Sequence, residues 1–307
     1  MNMVISHWSA NPVVLAACGL GAVTYLLGML APAGWLTGPR PAGSAGHVAA
    51  FCCGLLAVVA ALLSPVAYWA GEYIWIRSLQ DVLLGVGAPS LIVLSAPWLV
   101  LRRGTAVWLP LARTAAERPD APGAGQQDRH PGLGPSGWSW TAWPVMVTAV
   151  FNACWLGWHL PGGYDAALRH PPVMAAEAVS YLGLGIAFWL QILGPAPFTP
   201  RFAPLPRLAL VIATFVCVSV LSMVLIFGSG IIYPAYRGPA HRVLSVVSDQ
   251  QVGGAVLWTV AMLPFGIAAI ALCIRWLAAD QSGTLDAGLD RLLRRPGPGW
   301  PSRPGFR

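Results

Sequence analysis

Long apolar runs without charge dominate this chain and limit what it can fold into. They lie at about 12–31, 48–70, 74–101, 139–160, 172–194, 206–229 and 251–275. Each run approaches the length of about 20 residues that an α-helix needs to cross a bilayer. Only 9% of the residues are charged and 56% are hydrophobic, which excludes a soluble globular domain and a disordered chain. The runs predict an all-α, polytopic membrane bundle of about seven transmembrane helices.

The basic residues predict how this bundle is oriented. All 18 basic residues are arginine, and the cytoplasmic loops of membrane proteins are enriched in such residues. With the N-terminus outside and the C-terminus inside, fourteen arginines lie on the inner side and Arg77 lies within a span. Three lie outside, at Arg169, Arg237 and Arg242. The sequence therefore predicts N-out, C-in, and the net charge of +7 is attributed to topology and not to nucleic-acid binding.

Two segments lie outside the predicted spans. Residues 103–137 are rich in Pro, Gly, Arg and Gln, which favours a flexible cytoplasmic loop. Residues 279–307 end in an Arg-, Pro- and Gly-rich sequence and are predicted to form a cytoplasmic tail. The predicted organisation is a transmembrane domain over 1–278 followed by this tail. No basic residue precedes the first apolar run, so we expect that run to be retained and not cleaved as a signal peptide.

The ionisable residues within or beside the predicted spans gather at one end. In the predicted orientation, Arg77 and Asp81 lie near the outer end of the third span. His159 ends the fourth span, Glu177 lies in the fifth, and Asp249 opens the seventh. Ionisable groups within a membrane are costly and usually mark a functional site. Their position predicts a site that faces the extracytoplasmic side, above an inner half that is almost purely apolar.

The same residues have structural interpretations. Arg77 and Asp81 are four residues apart, so they can form an ion pair on one helix face. Glu177 has no opposite charge within one helical turn and needs a partner from another helix. His159, at a helix exit, is either a packed interface residue or a ligand.

The start of the seventh span also has structural interpretations. Ser248 and Gln251 have the spacing of a capping box. Asp249 suits the first turn of its own helix, where a negative charge is favourable. The pair Gly253 and Gly254 predicts close helix packing.

Motifs of common enzymes are missing from this sequence. It contains no nucleotide-binding loop, no HExxH, no GxSxG and no CxxC with a pair of histidines. No Ser/His/Asp arrangement is identifiable either. The sequence therefore does not predict an enzyme.

Several segments resemble the CtaG-type cytochrome c oxidase assembly factors. They cover about residues 50 to 265 in the order and spacing of that family. These segments are Ser64–Pro65, Arg77–Leu84, Ala88–Pro89, Ala96–Pro97, Trp158–Pro161, Tyr164–Ala167, Phe188–Trp189 with Pro195 and Pro197, Tyr233–Pro234 and Asp249–Trp258.

The resemblance implies a polytopic protein of the bacterial cell (inner) membrane that helps to mature a haem–copper oxidase as chaperone or scaffold. It also implies action on the outer side, around copper delivery or insertion. The implied partners are oxidase subunits or a copper chaperone, and copper is a candidate cofactor. The candidate polar cluster joins the matching positions with the residues found above: Arg77, Gln80, Asp81, His159, Asp165, Glu177, Asp249 and Gln250.

The chain departs from the family at the expected metal ligands. The family has a His-Met-x-Gln-His run where this chain has Arg77-Ser78-Leu79-Gln80-Asp81, and Glu-His where this chain has Glu177-Ala178. Imidazole and thioether ligands suit copper, whereas a guanidinium cannot ligate it. Three weak metal candidates remain, namely His159, Glu177 and Asp249. The prediction is a divergent member with a scaffolding role, and copper binding is left open.

Two other functions compete with this hypothesis. A transporter or channel for copper or another small solute would need a polar route through the inner half of the bundle. A membrane enzyme would use Glu177 or His159 as acid or base, but no activated arrangement is visible around them.

Overall fold

The computed structural model describes residues 7–30, 45–98, 100–101, 137–195, 202–237 and 244–293, with the backbone alone at 137–141 and 279–293. Every regular element in these ranges is helical, so the all-α prediction is confirmed. The elements are α1 (Pro12–Leu30), α2 (Ala45–Leu62), α3 (Pro65–Trp69), α4 (Ile74–Val82), a π-helical turn (Leu83–Gly87), α5 (Ala88–Leu94), α6 (Gly137–Trp158), α7 (Pro161–Arg169), α8 (Pro171–Leu193), α9 (Pro204–Phe227), a 3₁₀ turn (Pro234–Arg237) and α10 (Val246–Leu293). Apart from Gly137, the predicted loop at 103–137 lies outside the described residues, as do residues 294–307 of the predicted tail.

Six helices in the described ranges are long and apolar enough to cross a membrane. They are Pro12–Leu30, Ala45–Leu62, Ile74–Leu94, Pro171–Leu193, Pro204–Phe227 and Val246–Ala278. The predicted span at 139–160 is α6, which is not among the six because its tryptophans, Pro144 and Asn152 lower its mean hydropathy. It still packs along α8 and α9 inside the bundle. The polytopic architecture is therefore confirmed with six such helices, while the orientation of the termini stays a prediction.

The outer surface of the bundle is apolar. Val13, Val179, Phe227 and Ile267 are each at least 69% exposed. In most of the six spans only 17–28% of the residues are buried. Exposing this much contiguous apolar surface to water is unfavourable, whereas lipid accommodates it. The exception is Ile74–Leu94, of which 61% is buried, so this helix is the centre of the bundle.

The central helix is interrupted where its prolines predict a kink. Leu83–Gly87 form a π-helical turn between α4 and α5, and Pro89 lies in the first turn of α5. Proline has no amide hydrogen, so the regular hydrogen-bond pattern fails ahead of it and the helix widens. The helix ends at Leu94, shortly before Ala96 with its φ of 47° and a second proline, Pro97.

The π-helical turn lets α6 and α8 approach the central helix closely. A Cβ atom on Gly85 would lie 2.7 Å from the Trp155 ring, and one on Gly185 would lie 2.5 Å from the Gly85 carbonyl oxygen. Trp155 in turn stacks on His159 with ring centroids 5.5 Å apart. The interruption therefore positions one end of α6 against the central helix.

A cluster of aromatic rings fills the middle of the bundle. Phe151 and Phe188 stack with centroids 4.9 Å apart, and Trp189 stacks on Phe265 at 5.7 Å. Each of these side chains is at most 1% exposed. The rings join α6, α8 and α10 into one close-packed core.

The start of α10 packs tightly on two neighbours at once. A Cβ atom on Gly253 would lie 3.0 Å from side-chain atoms of α4. One on Gly254 would lie 2.8 Å from the Ser222 carbonyl oxygen of α9. The predicted role of this glycine pair in close packing is confirmed.

Candidate functional site: a buried ion network

Arg77 is the centre of a buried ion network made of Arg77, Gln80, Asp81, His159 and Glu177. The guanidinium group forms a direct ion pair with Glu177 of α8. Its Nε lies 3.6 Å from Asp81 Oδ1, and its Nη1 lies 3.4 Å from Gln80 Oε1. Arg77 is only 1% exposed. The network therefore joins the central helix to α8 through charge.

Helix periodicity explains the local part of this arrangement. Arg77 and Asp81 lie one turn apart on α4 and share a face, as the sequence predicted. Gln80 lies on the same turn and donates from Nε2 to the Ala61 carbonyl oxygen of α2 at 2.7 Å. The partner that Glu177 requires is Arg77, which precedes it by 100 residues.

His159 connects the end of α6 to the network. Its Nδ1 lies 2.9 Å from the Trp155 carbonyl oxygen, which can only accept, so Nδ1 carries a hydrogen. Tyr181 Oη lies 3.3 Å from the same nitrogen. On the other side of the ring, Nε2 lies 3.7 Å from Asp81 Oδ2, and neither atom has a hydrogen-bond partner among the described residues. Two lone pairs would repel each other at this distance, so the geometry favours a proton between them.

That proton balances the charge of the network. Arg77 contributes one positive charge, and Asp81 and Glu177 contribute one negative charge each. A neutral His159 beside an ionised Asp81 would leave one excess negative charge in a buried site, which costs several kcal/mol. With one proton held by either His159 or Asp81, the formal sum is zero. The network is therefore a balanced set of charges that spans three helices.

Three tyrosines form a layer beside the network, which we call the tyrosine layer (Tyr164, Tyr233 and Tyr236). The ring of Tyr164 lies over the Arg77 guanidinium at 5.5 Å from its centroid, a favourable cation–π arrangement, and stacks on Tyr233 at 4.1 Å. Burial raises the pKa of all three phenols, so they remain neutral. Tyr164 lies on the short helix α7, and Tyr233 and Tyr236 lie in the connection between α9 and α10. The layer shields the network from water at this end of the bundle.

The layer also fastens the connection between α9 and α10 to the helices. Tyr233 Oη donates to the His159 carbonyl oxygen at 3.1 Å. Tyr236 Oη donates to the Ala70 carbonyl oxygen at 2.7 Å. The candidate cluster predicted from the sequence missed these tyrosines, because a phenol outside the predicted spans carries no local sign of burial. The available signal for Tyr164 and Tyr233 was their place in the Tyr164–Ala167 and Tyr233–Pro234 segments, whereas Tyr236 lies in neither segment.

Asp249 serves a different helix from the one the sequence indicated. Its two carboxylate oxygens accept from the amides of Ile74 at 2.9 Å and Trp75 at 3.1 Å, so it caps α4 across the bundle. The start of its own helix is capped by Ser245, whose hydroxyl accepts from the Ser248 amide at 3.1 Å. The predicted capping box at Ser248 and Gln251 is therefore wrong by three residues, because α10 begins earlier than expected.

Gln250 and Asp165 lie at the same end but make separate contacts. Gln250 accepts from the Ile232 amide at 2.9 Å and donates to the Gly230 carbonyl oxygen at 3.3 Å, which fixes the connection between α9 and α10. Asp165 lies 3.6 Å from Arg169 on α7. The structure thus brings five of the eight predicted residues into one network, namely Arg77, Gln80, Asp81, His159 and Glu177. The other three, Asp165, Asp249 and Gln250, make separate contacts at the same end of the bundle.

The residues present do not fit a resident copper ion. No group of three or more His, Cys, Asp or Glu side chains that could hold a metal occurs in the described part of the chain. Of the weak metal candidates, Glu177 pairs with Arg77 and Asp249 accepts from backbone amides, which leaves His159 as a single imidazole. A cavity of about 10 Å³ borders Arg77, Asp81 and Glu177, which is space for one water molecule. The guanidinium occupies the position between the carboxylates that a cation would need.

Comparison with known proteins places this architecture in a family. The profile described as cytochrome c oxidase caa3 assembly factor (Caa3_CtaG) matches residues 23–279. This range includes every residue of the ion network and of the tyrosine layer.

A curated relative shows a more distant similarity. The chain is 26% identical over 281 residues to a protein of Mycobacterium leprae (strain TN) named Uncharacterized protein ML1998. The alignment covers 85% of this chain and 39% of that protein, so the chain spans about two fifths of the relative's length. No solved structure matches this chain. Because the family profile covers most of its residues, the chain belongs to the cytochrome c oxidase caa3 assembly factor family.

Proposed function

We propose that this protein supports the maturation of a haem–copper cytochrome c oxidase as a scaffold in the bacterial cell membrane. The observation that carries the proposal is the family match over residues 23–279. The six apolar helices support a membrane location. The oxidase is itself a membrane enzyme, so a scaffold in the same bilayer can hold an incomplete subunit while its cofactors are inserted.

We further propose that the end carrying the ion network faces the extracytoplasmic side. The distribution of arginines supports this orientation, since fourteen of 18 fall on the opposite side when the N-terminus is outside. The helix ends that carry Arg77, His159, Glu177 and Asp249 are joined to each other by the contacts described above. A partner approaching from outside would meet this rigid end of the bundle.

The proposed role is scaffolding, with copper as cargo carried by a partner. Arg77 stands where the family resemblance implies a histidine, and it joins two carboxylates that would otherwise repel each other. An ion pair between two helices fixes their packing, as a metal ion bound by both helices would. Unlike a bound metal ion, the arginine side chain is part of the chain and cannot be passed on to a partner. The partners that fit this role are an oxidase subunit or a copper chaperone that supplies the metal.

Transport is less well supported by the geometry. A solute route needs polar groups along the whole bundle, but the middle of the described core is filled by Phe151, Phe188, Trp189 and Phe265. These rings pack against each other at 4.9 to 6.3 Å between centroids. We therefore place transport second.

The test is a strain that lacks this gene, compared with its parent and with strains complemented by defined variants. We expect the deletion to reduce the haem spectrum of the oxidase, its copper content and its activity. Succinate dehydrogenase activity in the same membranes is the control and should be unchanged. Wild-type protein and the Arg169→Gln variant should restore the oxidase. Arg77→Gln should restore it less, because it breaks the network.

Copper in the growth medium separates scaffolding from delivery. Excess copper should leave the deletion strain deficient if the missing step is scaffolding. Full rescue by copper would refute the scaffolding role and support delivery. An unchanged oxidase in the deletion strain would refute the oxidase role altogether, and vesicle uptake of copper would be the next measurement.

A further inference from the structure

A second candidate site lies at the opposite end of the bundle from the ion network. It is a cavity of about 540 Å³ between α2, α5, α8 and α10. Its walls are mainly apolar, and they include Leu91, Leu263 and Ile267. The volume lies in the range of pockets that hold small organic ligands. Arg275 lies in the wall of this cavity and is exposed.

A buried arginine lies beside the cavity. Arg207 is only 6% exposed, and its Nη1 donates to the carbonyl oxygen of Ile192, a cavity residue, at 2.8 Å. Its Nε has no hydrogen-bond partner among the described residues. Ile192 and Arg275 both line the cavity, so the two guanidinium groups lie beside the same space. Two guanidinium groups therefore concentrate positive charge at one edge of an apolar space.

Among the side chains that the structure describes, none near these arginines is a carboxylate. The acidic side chains in this set are all near the other end of the bundle, at Glu72, Asp81, Asp165, Glu177 and Asp249. A buried charge without a counter-ion is strongly unfavourable. An anion bound from outside the chain would satisfy Arg207 Nε and balance the positive charge of the two guanidinium groups.

A further polar group in the cavity wall, which also includes His47 and Ser90, is a donor. Trp189 is 1% exposed and lines the cavity. Its indole N–H has no partner among the described residues. The cavity thus presents an apolar volume, a lone N–H donor and two positive charges. An amphiphile with an acyl chain, ester oxygens and a phosphate matches all three features.

We propose that this cavity binds an anionic phospholipid of the surrounding membrane. The acyl chain occupies the apolar space, an ester oxygen accepts from the Trp189 indole, and the phosphate lies between Arg207 and Arg275. Basic pockets between helices are known sites for acidic lipid headgroups. The site is independent of the oxidase role, because it uses none of the residues of the ion network.

Native mass spectrometry of the purified full chain tests this proposal. The protein in detergent is incubated with equal amounts of dioleoyl phosphatidylglycerol and dioleoyl phosphatidylcholine, which differ only in headgroup. We expect the anionic lipid to be retained at least fivefold more than the zwitterionic one. Arg275→Gln should reduce this ratio about fivefold, the factor that one basic residue contributes at a lipid surface.

Two further variants keep the test decisive. Arg169→Gln removes an arginine that is 65% exposed at the other end and should leave the ratio unchanged. Ala271→Phe fills the cavity from its wall and should lower the retention of both lipids. Equal retention of the two lipids by the wild-type chain would overturn the proposal, as would a ratio that does not change in Arg275→Gln. A neutral isoprenoid quinone retained in place of phosphatidylglycerol would also overturn it.

Discussion

Substitution of Arg77 by glutamine is the most direct perturbation of the ion network. The change removes the permanent cation of the network, while the shorter glutamine side chain keeps some hydrogen-bonding capacity. Asp81 and Glu177 then remain buried together without an opposite charge between them. We expect Arg77→Gln to be strongly destabilising.

The distances set the expected magnitude. Arg77 Nε and Asp81 Oδ1 are 3.6 Å apart, and the attraction of such a pair is about 5 kcal/mol at an effective dielectric constant of about 20. Loss of one partner from a buried ion pair costs about 3 to 5 kcal/mol, because the other charge stays buried. We therefore expect Arg77→Gln to lower the free energy of unfolding by about 3 to 5 kcal/mol. Simultaneous Arg77→Gln, Asp81→Asn and Glu177→Gln should recover at least half of this loss, since no unpaired charge remains.

The assay is equilibrium unfolding in mixed micelles with increasing dodecyl sulfate. Tryptophan fluorescence reports the transition, because the chain contains 15 tryptophans. Arg169→Gln is the matched control, since Arg169 also pairs with an aspartate four residues away at 3.6 Å but is 65% exposed. An exposed pair of this kind contributes at most about 1 kcal/mol.

Two results would refute the reasoning. The first is an Arg77→Gln variant that is no less stable than Arg169→Gln, which would show that the buried carboxylates do not need the cation. The second is a triple variant that is less stable than Arg77→Gln alone, which would show that packing and not charge dominates the cost.

The same titration tests three contacts elsewhere in the bundle. Asp249→Ala leaves two buried amides of α4 without an acceptor and should cost about 2 to 4 kcal/mol; a loss below 1 kcal/mol would contradict the cap across the bundle. Gly254→Ala should cost about 1 to 3 kcal/mol through overpacking, whereas Gly266→Ala, with nothing within 4 Å, should be neutral or stabilising; equal effects would count against close packing. Burial raises the pKa of Tyr236 above its ordinary 10. Its contribution to the free energy of unfolding is therefore full below pH 10 and declines above it. Tyr236→Phe should make the decline above pH 10 shallower, and an unchanged slope would exclude this phenol as its source.

The sequence by itself was enough to predict that this protein lies in a membrane, and it predicted much of the local structure. Runs of about 20 apolar residues need no tertiary information to be read as membrane helices, because each helix satisfies its own backbone hydrogen bonds. The kink ahead of Pro89 follows from the missing amide of proline. The close helix packing at Gly253 and Gly254 follows from their lack of a side chain. The pairing of Arg77 with Asp81 follows from helix periodicity.

The tertiary structure alone decided which distant groups meet. Glu177 needed a cation, but only the packing of α8 on α4 identifies it as Arg77. Asp249 looked like a cap for its own helix, yet it caps Ile74, 175 residues before it in the chain. The physical reason is that contacts between helices depend on the rotation and depth of each helix. Apolar periodicity constrains these only weakly in lipid, where most faces of a helix are equally apolar.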